Sequence, residues 1–175
     1  IQDIDCHVIL KEPLTDLQRA NIVQLFESMS KQFPPLGGEL DAFFILFVDA
    51  QKTSPPAHQL RDIRDEMWAL HCAHIRAGRY LTLYGPEPTD IFPTPSWQEI
   101  SAALDYELRS IEANIKHPAY SAYCVLNLCR IIYSFLTHDV VVSKRFSGAW
   151  ASSQFPEWAP LLGAALRHYN GTATA

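Results

Sequence analysis

The spacing of apolar positions changes along the chain. Ile4, Cys6, Val8 and Leu10 alternate with Asp3, Asp5, His7 and Ile9, a period of two that predicts a strand ended by Glu12-Pro13. Thr15 then suits an N-cap, and the stripe Ile22, Val23, Leu25, Phe26 and Met29 predicts a helix to about Gln32. Pro34-Pro35 and Gly37-Gly38 break it. Leu40 to Asp49 carries the continuous apolar run Ala42 to Val48, which predicts a strand buried on both faces. A strand, helix, strand order fits a right-handed parallel crossover or a longer excursion within a mixed sheet.

From Ser54 the strand signal stops. Helical spacing predicts helices at His58–Ala77, Trp97–Lys116, Tyr120–Thr137, Ser143–Gln154 and Pro156–Tyr169. Tyr84 to Pro95 is a stiff connector with prolines at 86, 88, 93 and 95, and it marks a domain boundary. The expected fold is α+β. A partial mixed sheet in residues 1–85 precedes an α-helical bundle in residues 86–175.

Composition narrows the function classes. The 175 residues are 48% hydrophobic and 19% charged, as in a folded soluble protein, with a formal net charge of −5. That balance supplies no basic field for nucleic acid, although a local cationic site for one polyphosphate is compatible with it. The run Ala42 to Val48 is far too short to span a bilayer, so no membrane partner is expected. Cys6, Cys72, Cys124 and Cys129 form no C-x-x-C pair and sit in apolar stretches, which reads as buried thiols in a reducing cytoplasm. The sequence begins at Ile1, already strand-like and without methionine, so an upstream segment is expected.

Asp3 and Asp5, two apart on a strand, project from one face. Two such carboxylates repel unless a cation lies between them, and Mg²⁺ takes few hard oxygen ligands when it also binds substrate phosphates. Asp41, opening the second strand, reaches the same face as a further ligand or a general base. The alternative is a set of solvated aspartates at a fraying strand end. In the helical part, Cys124, Leu128, Ile131, Ile132 and Phe135 form the predicted core stripe of one helix, with Asn127, Arg130 and Ser134 on another side. Ser143 suits an N-cap, which puts Lys144 and Arg145 in a first turn. Cations there oppose the helix dipole, by about 0.3–1 kcal/mol each when exposed, unless an anion binds. Solvated surface cations are the alternative. His71, Cys72 and His74 invite a zinc reading, but no second ligand cluster accompanies them and Cys72 leaves the face shared by the histidines.

Several stretches carry a resemblance. They are Leu83-Tyr84-Gly85-Pro86, Val125-Leu126-Asn127-Leu128-Cys129-Arg130, Ser143-Lys144-Arg145, Gly148-Ala149-Trp150-Ala151 and Pro160-Leu161-Leu162 with Ala165 and Tyr169. In this order and spacing they resemble the helical domain of the AadA-like aminoglycoside nucleotidyltransferases. Gln2 to Ile9 resembles the D-x-D strand of the nucleotidyltransferase signature, which in that family follows a Gly-Ser turn absent from this sequence. The resemblance implies transfer of AMP from Mg²⁺-bound ATP to a hydroxyl of a small molecule. It implies Asp3 and Asp5 as Mg²⁺ ligands, Asp41 as the base where the family has glutamate, and Arg130 and Lys144 on the nucleotide phosphates. The acids that hold the aminoglycoside in family members have no counterpart in His117-Pro118-Ala119-Tyr120-Ser121. Streptomycin-type specificity is therefore not implied. A truncated, non-catalytic nucleotide- or small-molecule-binding relic is the alternative.

Overall fold

The computed structural model describes residues 4–34, 37–38, 40–117 and 120–171. Asp3, one of the two expected metal ligands, lies outside them. The chain is α+β and divides into two compact units. Residues 1–68 and 82–93 form the first; residues 69–81 and 94–175 form the second. The Pro-rich segment 84–95 thus lies mostly in the first unit, and the 69–81 excursion belongs to the second.

In the first unit, β1 (Ile4–Leu10), α1 (Asp16–Gln32) and β2 (Leu40–Leu46) follow one another. The strands pair in parallel, from Ile4 opposite Leu40 to Leu10 opposite Leu46. Thr15 caps α1 through a capping box, taking the Gln18 N–H while the Gln18 side chain accepts from the Thr15 N–H at 2.9 Å. Phe26 of α1 lies 6.1 Å from Phe44, so α1 covers the sheet face of Cys6, Ala42 and Phe44. The opposite face carries Asp5, His7, Asp41 and Phe43. His7 stacks on Phe43 at 5.9 Å and meets the Trp68 and Phe92 rings edge-on at 5.8 Å each.

Two sequence expectations need correction here. Strand β2 ends at Leu46, and Phe47–Ala50 turn into the short helix α2. The helix expected at His58–Ala77 is only Trp68–Arg76, named α3. Instead His58, Gln59 and Arg61 dock on β2, and residues 63–65 turn back onto 55–58. His58, 6% exposed, has one ring nitrogen 3.1 Å from the Ala42 carbonyl, while its Nδ1 accepts from the N–H groups of Leu60 at 2.9 Å and Arg61 at 3.1 Å. The Gln59 N–H donates to the Phe44 carbonyl at 2.8 Å. Side-chain and edge hydrogen bonds take the backbone groups a helix needs, so helical spacing loses.

The second unit is built on α4 (Trp97–Asn114), α5 (Ser121–Thr137), α6 (Lys144–Gln154) and α7 (Ala159–Tyr169). Helix α4 packs on α5, and α5, α6 and α7 pack on one another. Ser96 caps α4 through a second capping box, with Glu99. A one-turn 3-10 segment, Pro156–Trp158, precedes α7 where one helix was expected. Cys129, Ala151 and Leu162 form a core with Val125, Trp150 and Phe155 against it. At Gly148 a Cβ would stand 2.8 Å from Leu126 and 3.1 Å from Leu166, so α6 approaches its neighbours closely only because that residue lacks one. The buried arc of α5 is rotated from the expected stripe. Cys124, Leu126, Asn127, Cys129, Ile131 and Ser134 are buried, whereas Ile132 and Phe135 are each 40% exposed. Helix α5 is covered by α4 on one side and by α6 and α7 on others, so it buries more than a single stripe.

Candidate functional site

Parallel register fixes the carboxylates of the first unit. Asp5 and Asp41 are direct partners across β1 and β2, where adjacent strands run about 4.8 Å apart, and their side chains leave the same face. That is the face α1 does not cover. Like charges opposite one another destabilise a strand pair unless a cation compensates. Arg61 does so in part, its Nη2 lying 3.2 Å from Asp41 Oδ1, with both side chains about half exposed. Such a pair contributes at most about 1 kcal/mol. Farther along this face the rings of Trp68 and Phe92 cover His7, but Asp5 is exposed and Asp41 half exposed, and two such carboxylates are a hard oxygen donor set that fits Mg²⁺.

The second unit gathers its cations differently. Asn127, 4% exposed, turns its amide between two partners. Its Nδ2 donates to Glu107 Oε1 of α4 at 3.0 Å, and its Oδ1 accepts from Arg130 Nη1 at 3.3 Å. The Tyr123 hydroxyl donates to the same Glu107 oxygen at 2.9 Å. Ser143 caps α6 by accepting the Phe146 N–H at 3.1 Å, which places Lys144 at the first helical position. The Lys144 ammonium lies 4.3 Å from the centre of the Tyr123 ring and 5.8 Å from that of Tyr169. Contacts with ring faces are worth about 0.5–2 kcal/mol and offset the unfavourable helix-dipole position. Arg130, through Asn127, and Lys144, against Tyr123, are therefore both linked to Glu107.

Electrostatics follow the burial. Burial lowers the Arg130 pKa, opposed by Tyr123, Glu107 and Tyr169, and a guanidinium keeps its charge under such shifts. Burial, and then the Glu107 charge, push the Tyr123 hydroxyl well above the usual tyrosine range, so it stays a donor. Burial also lowers His74, with Arg130 and His71 acting in the same direction and a hydrogen bond to the Val140 backbone opposing. Cys72 is fully buried, and His71 and His74 are half-buried. Burial raises the thiols of Cys6, Cys124 and Cys129, which keeps them protonated.

Residues 90–175 match the model of the aminoglycoside adenylyltransferase C-terminal domain, AadA_C. These residues form a domain of the AadA-like aminoglycoside adenylyltransferase type. Both cation-bearing helices and Glu107 lie inside the matched residues. No curated protein matches the chain in sequence. Its fold resembles that of spectinomycin adenyltransferase AAD(9) from Enterococcus faecialis, whose crystal structure holds ATP and spectinomycin. The TM-score is 0.76 at 15% identity, over all of this chain and 79% of that one. No helix among the described residues is long and apolar enough to cross a membrane.

Sequence reasoning missed Glu107 of this AadA-type domain. A signal for it exists. Buried Ala103, Leu104 and Ile111 define the inner stripe of α4, and position 107 falls on that stripe at helical spacing. A carboxylate where apolar residues are expected implies a buried polar partner, although spacing alone does not say which one.

Proposed function

We propose that this protein is an AadA-like adenylyltransferase that moves AMP from Mg²⁺-bound ATP to a hydroxyl of a small molecule. The observation carrying the reading is the linkage of Arg130, through Asn127, and of Lys144, through Tyr123, to one carboxylate, within residues that match the adenylyltransferase domain. In this reading the two cations contact the nucleotide phosphates and stabilise the charge that develops on the leaving pyrophosphate. Asp3 and Asp5 hold the metal, which when bound neutralises phosphate charge. Asp41, in register with Asp5, accepts the proton of the attacking hydroxyl. The ATP and spectinomycin of the structural relative favour a nucleotide and a hydroxyl-bearing acceptor as substrates. The 117–121 segment before α5 contains no carboxylate, which argues against an acceptor chosen mainly for its positive charge.

A second reading, a nucleotide-binding relic without turnover, draws support from Arg61, whose guanidinium already occupies one oxygen of the proposed base. Calorimetry with Mg²⁺ and ATP, followed by a pyrophosphate-release assay with spectinomycin and related aminocyclitols, separates the two. Binding with turnover supports the enzyme, and binding without turnover supports the relic. No heat of binding would sink both.

A further inference from the structure

We propose that Glu107 is a positioning residue that sets both phosphate-contacting cations through one carboxylate oxygen. The inference rests on the assignment of Arg130 and Lys144 to nucleotide phosphates.

Two hydrogen bonds converge on Glu107 Oε1, from Asn127 Nδ2 at 3.0 Å and from the Tyr123 hydroxyl at 2.9 Å. An asparagine amide has an acceptor end and a donor end of nearly the same shape. An ionised carboxylate only accepts, so Glu107 draws the Asn127 NH₂ toward α4 and turns Oδ1 toward Arg130. With the amide reversed, NH₂ would face guanidinium, donor against donor, and the 3.3 Å bond to Arg130 Nη1 would be lost. Asn127 is 4% exposed, so little water is at hand to replace it. The second path runs through Tyr123. Its hydroxyl is tied to Glu107, and its ring face is thereby held 4.3 Å from the Lys144 ammonium. One side chain of α4 thus fixes a cation on α5 and a cation on α6. The Arg130 bond to Asn127 uses one of five guanidinium N–H donors, which leaves a fork suited to phosphate oxygens.

The test is titration calorimetry of ATP and of AMP, each with Mg²⁺, on the wild type and on Glu107→Gln, Asn127→Ala, the double variant and Arg130→Met, with melting temperatures alongside. Glu107→Gln is expected to weaken ATP on the order of tenfold while leaving AMP nearly unchanged, because only the outer phosphates lose their partners. Asn127→Ala cuts the Arg130 path alone and should weaken ATP less, and the double variant should lose little more than Glu107→Gln by itself, since the Asn127 path runs through Glu107. Additive losses, equal weakening of ATP and AMP, or an unchanged ATP affinity in Glu107→Gln would each overturn the proposal. Should Glu107→Gln fail to fold, Tyr123→Phe, which keeps the ring and removes only its bond to Glu107, gives the decision: an ATP affinity equal to the wild type overturns the proposal. The parent reading fails separately, if Arg130→Met binds ATP as the wild type does. If Arg130→Met weakens ATP and Glu107→Gln does not, only the role of Glu107 falls.

Discussion

The two units carry opposite charges and hold them by different means. In the first, Asp5 and Asp41 are placed by main-chain register; their side chains are exposed or half exposed, and the partner the structure gives Asp41 is a surface arginine. In the second, Arg130 and Lys144 are placed by side chains: an amide, a phenol and a carboxylate on α4 and α5. Register is set by every residue of the strands, so a change at one carboxylate should leave the other where it is. A side-chain network has no such redundancy, and the loss of one member disturbs the rest. The carboxylate face should therefore tolerate substitution structurally and fail only in chemistry. The cation site should lose geometry and binding together.

The largest expected effect tests the first half of that contrast. Asp41→Asn should lower turnover by about 10²–10⁴-fold and leave the melting temperature nearly unchanged, as a rate assay beside a thermal melt will show. A large drop in stability instead would mean that the sheet depends on the Arg61 pair. Next comes Leu126→Ala, which empties a fully buried position on α5. Urea unfolding should register a loss of about 2–5 kcal/mol, and ATP affinity should fall too, because Asn127 and Arg130 share that helix. Intact ATP binding in this variant would contradict the coupling of packing to site geometry.

Arg130→Met should weaken ATP by about 10–100-fold, the range for hydrogen bonds to a charged group. Calorimetry measures it directly. A smaller effect concerns acid. Burial lowers the His58 pKa below the ordinary imidazole value of 6.5, and both neutral-ring bonds at Nδ1 disappear on protonation. The unfolded chain therefore binds the proton more readily, so stability is present above about pH 6.5 and is lost as the pH falls below it. His74 acts with the same sign. Melting temperatures from pH 7.5 to pH 5 should fall in the wild type and fall less in His58→Asn; parallel curves would exclude His58 as a source. Smallest is Arg61→Ala, with a stability change under about 1 kcal/mol by urea titration.

The helices of the second unit were largely legible from local signals. Ser96 and Ser143 cap the predicted starts of α4 and α6, and α5 ends one residue before His138, which adopts a left-handed φ of 58°. Where the pattern misled, a tertiary partner had taken over. The segment 58–67 has helical spacing but is bound to β2 through His58 and Gln59. Ile132 and Phe135 belong to the apolar stripe of α5, yet they give up the interior to Asn127 and Ser134. Polar residues win there when their hydrogen bonds are met; for Asn127 they are, by Glu107 and Arg130.

The sequence by itself determined most of the strands and helices and the caps at Thr15 and Ser143, because these depend on neighbours within a few positions. It also carried the family resemblance. Only the tertiary structure decided that Asp5 stands opposite Asp41, that Lys144 rests against Tyr123, and that Glu107 joins Tyr123 to Asn127. These residues lie far apart along the chain, on different elements. Local propensity fixes an element, whereas the choice of which of its faces meets which partner comes from burying apolar surface and satisfying every buried polar group at once.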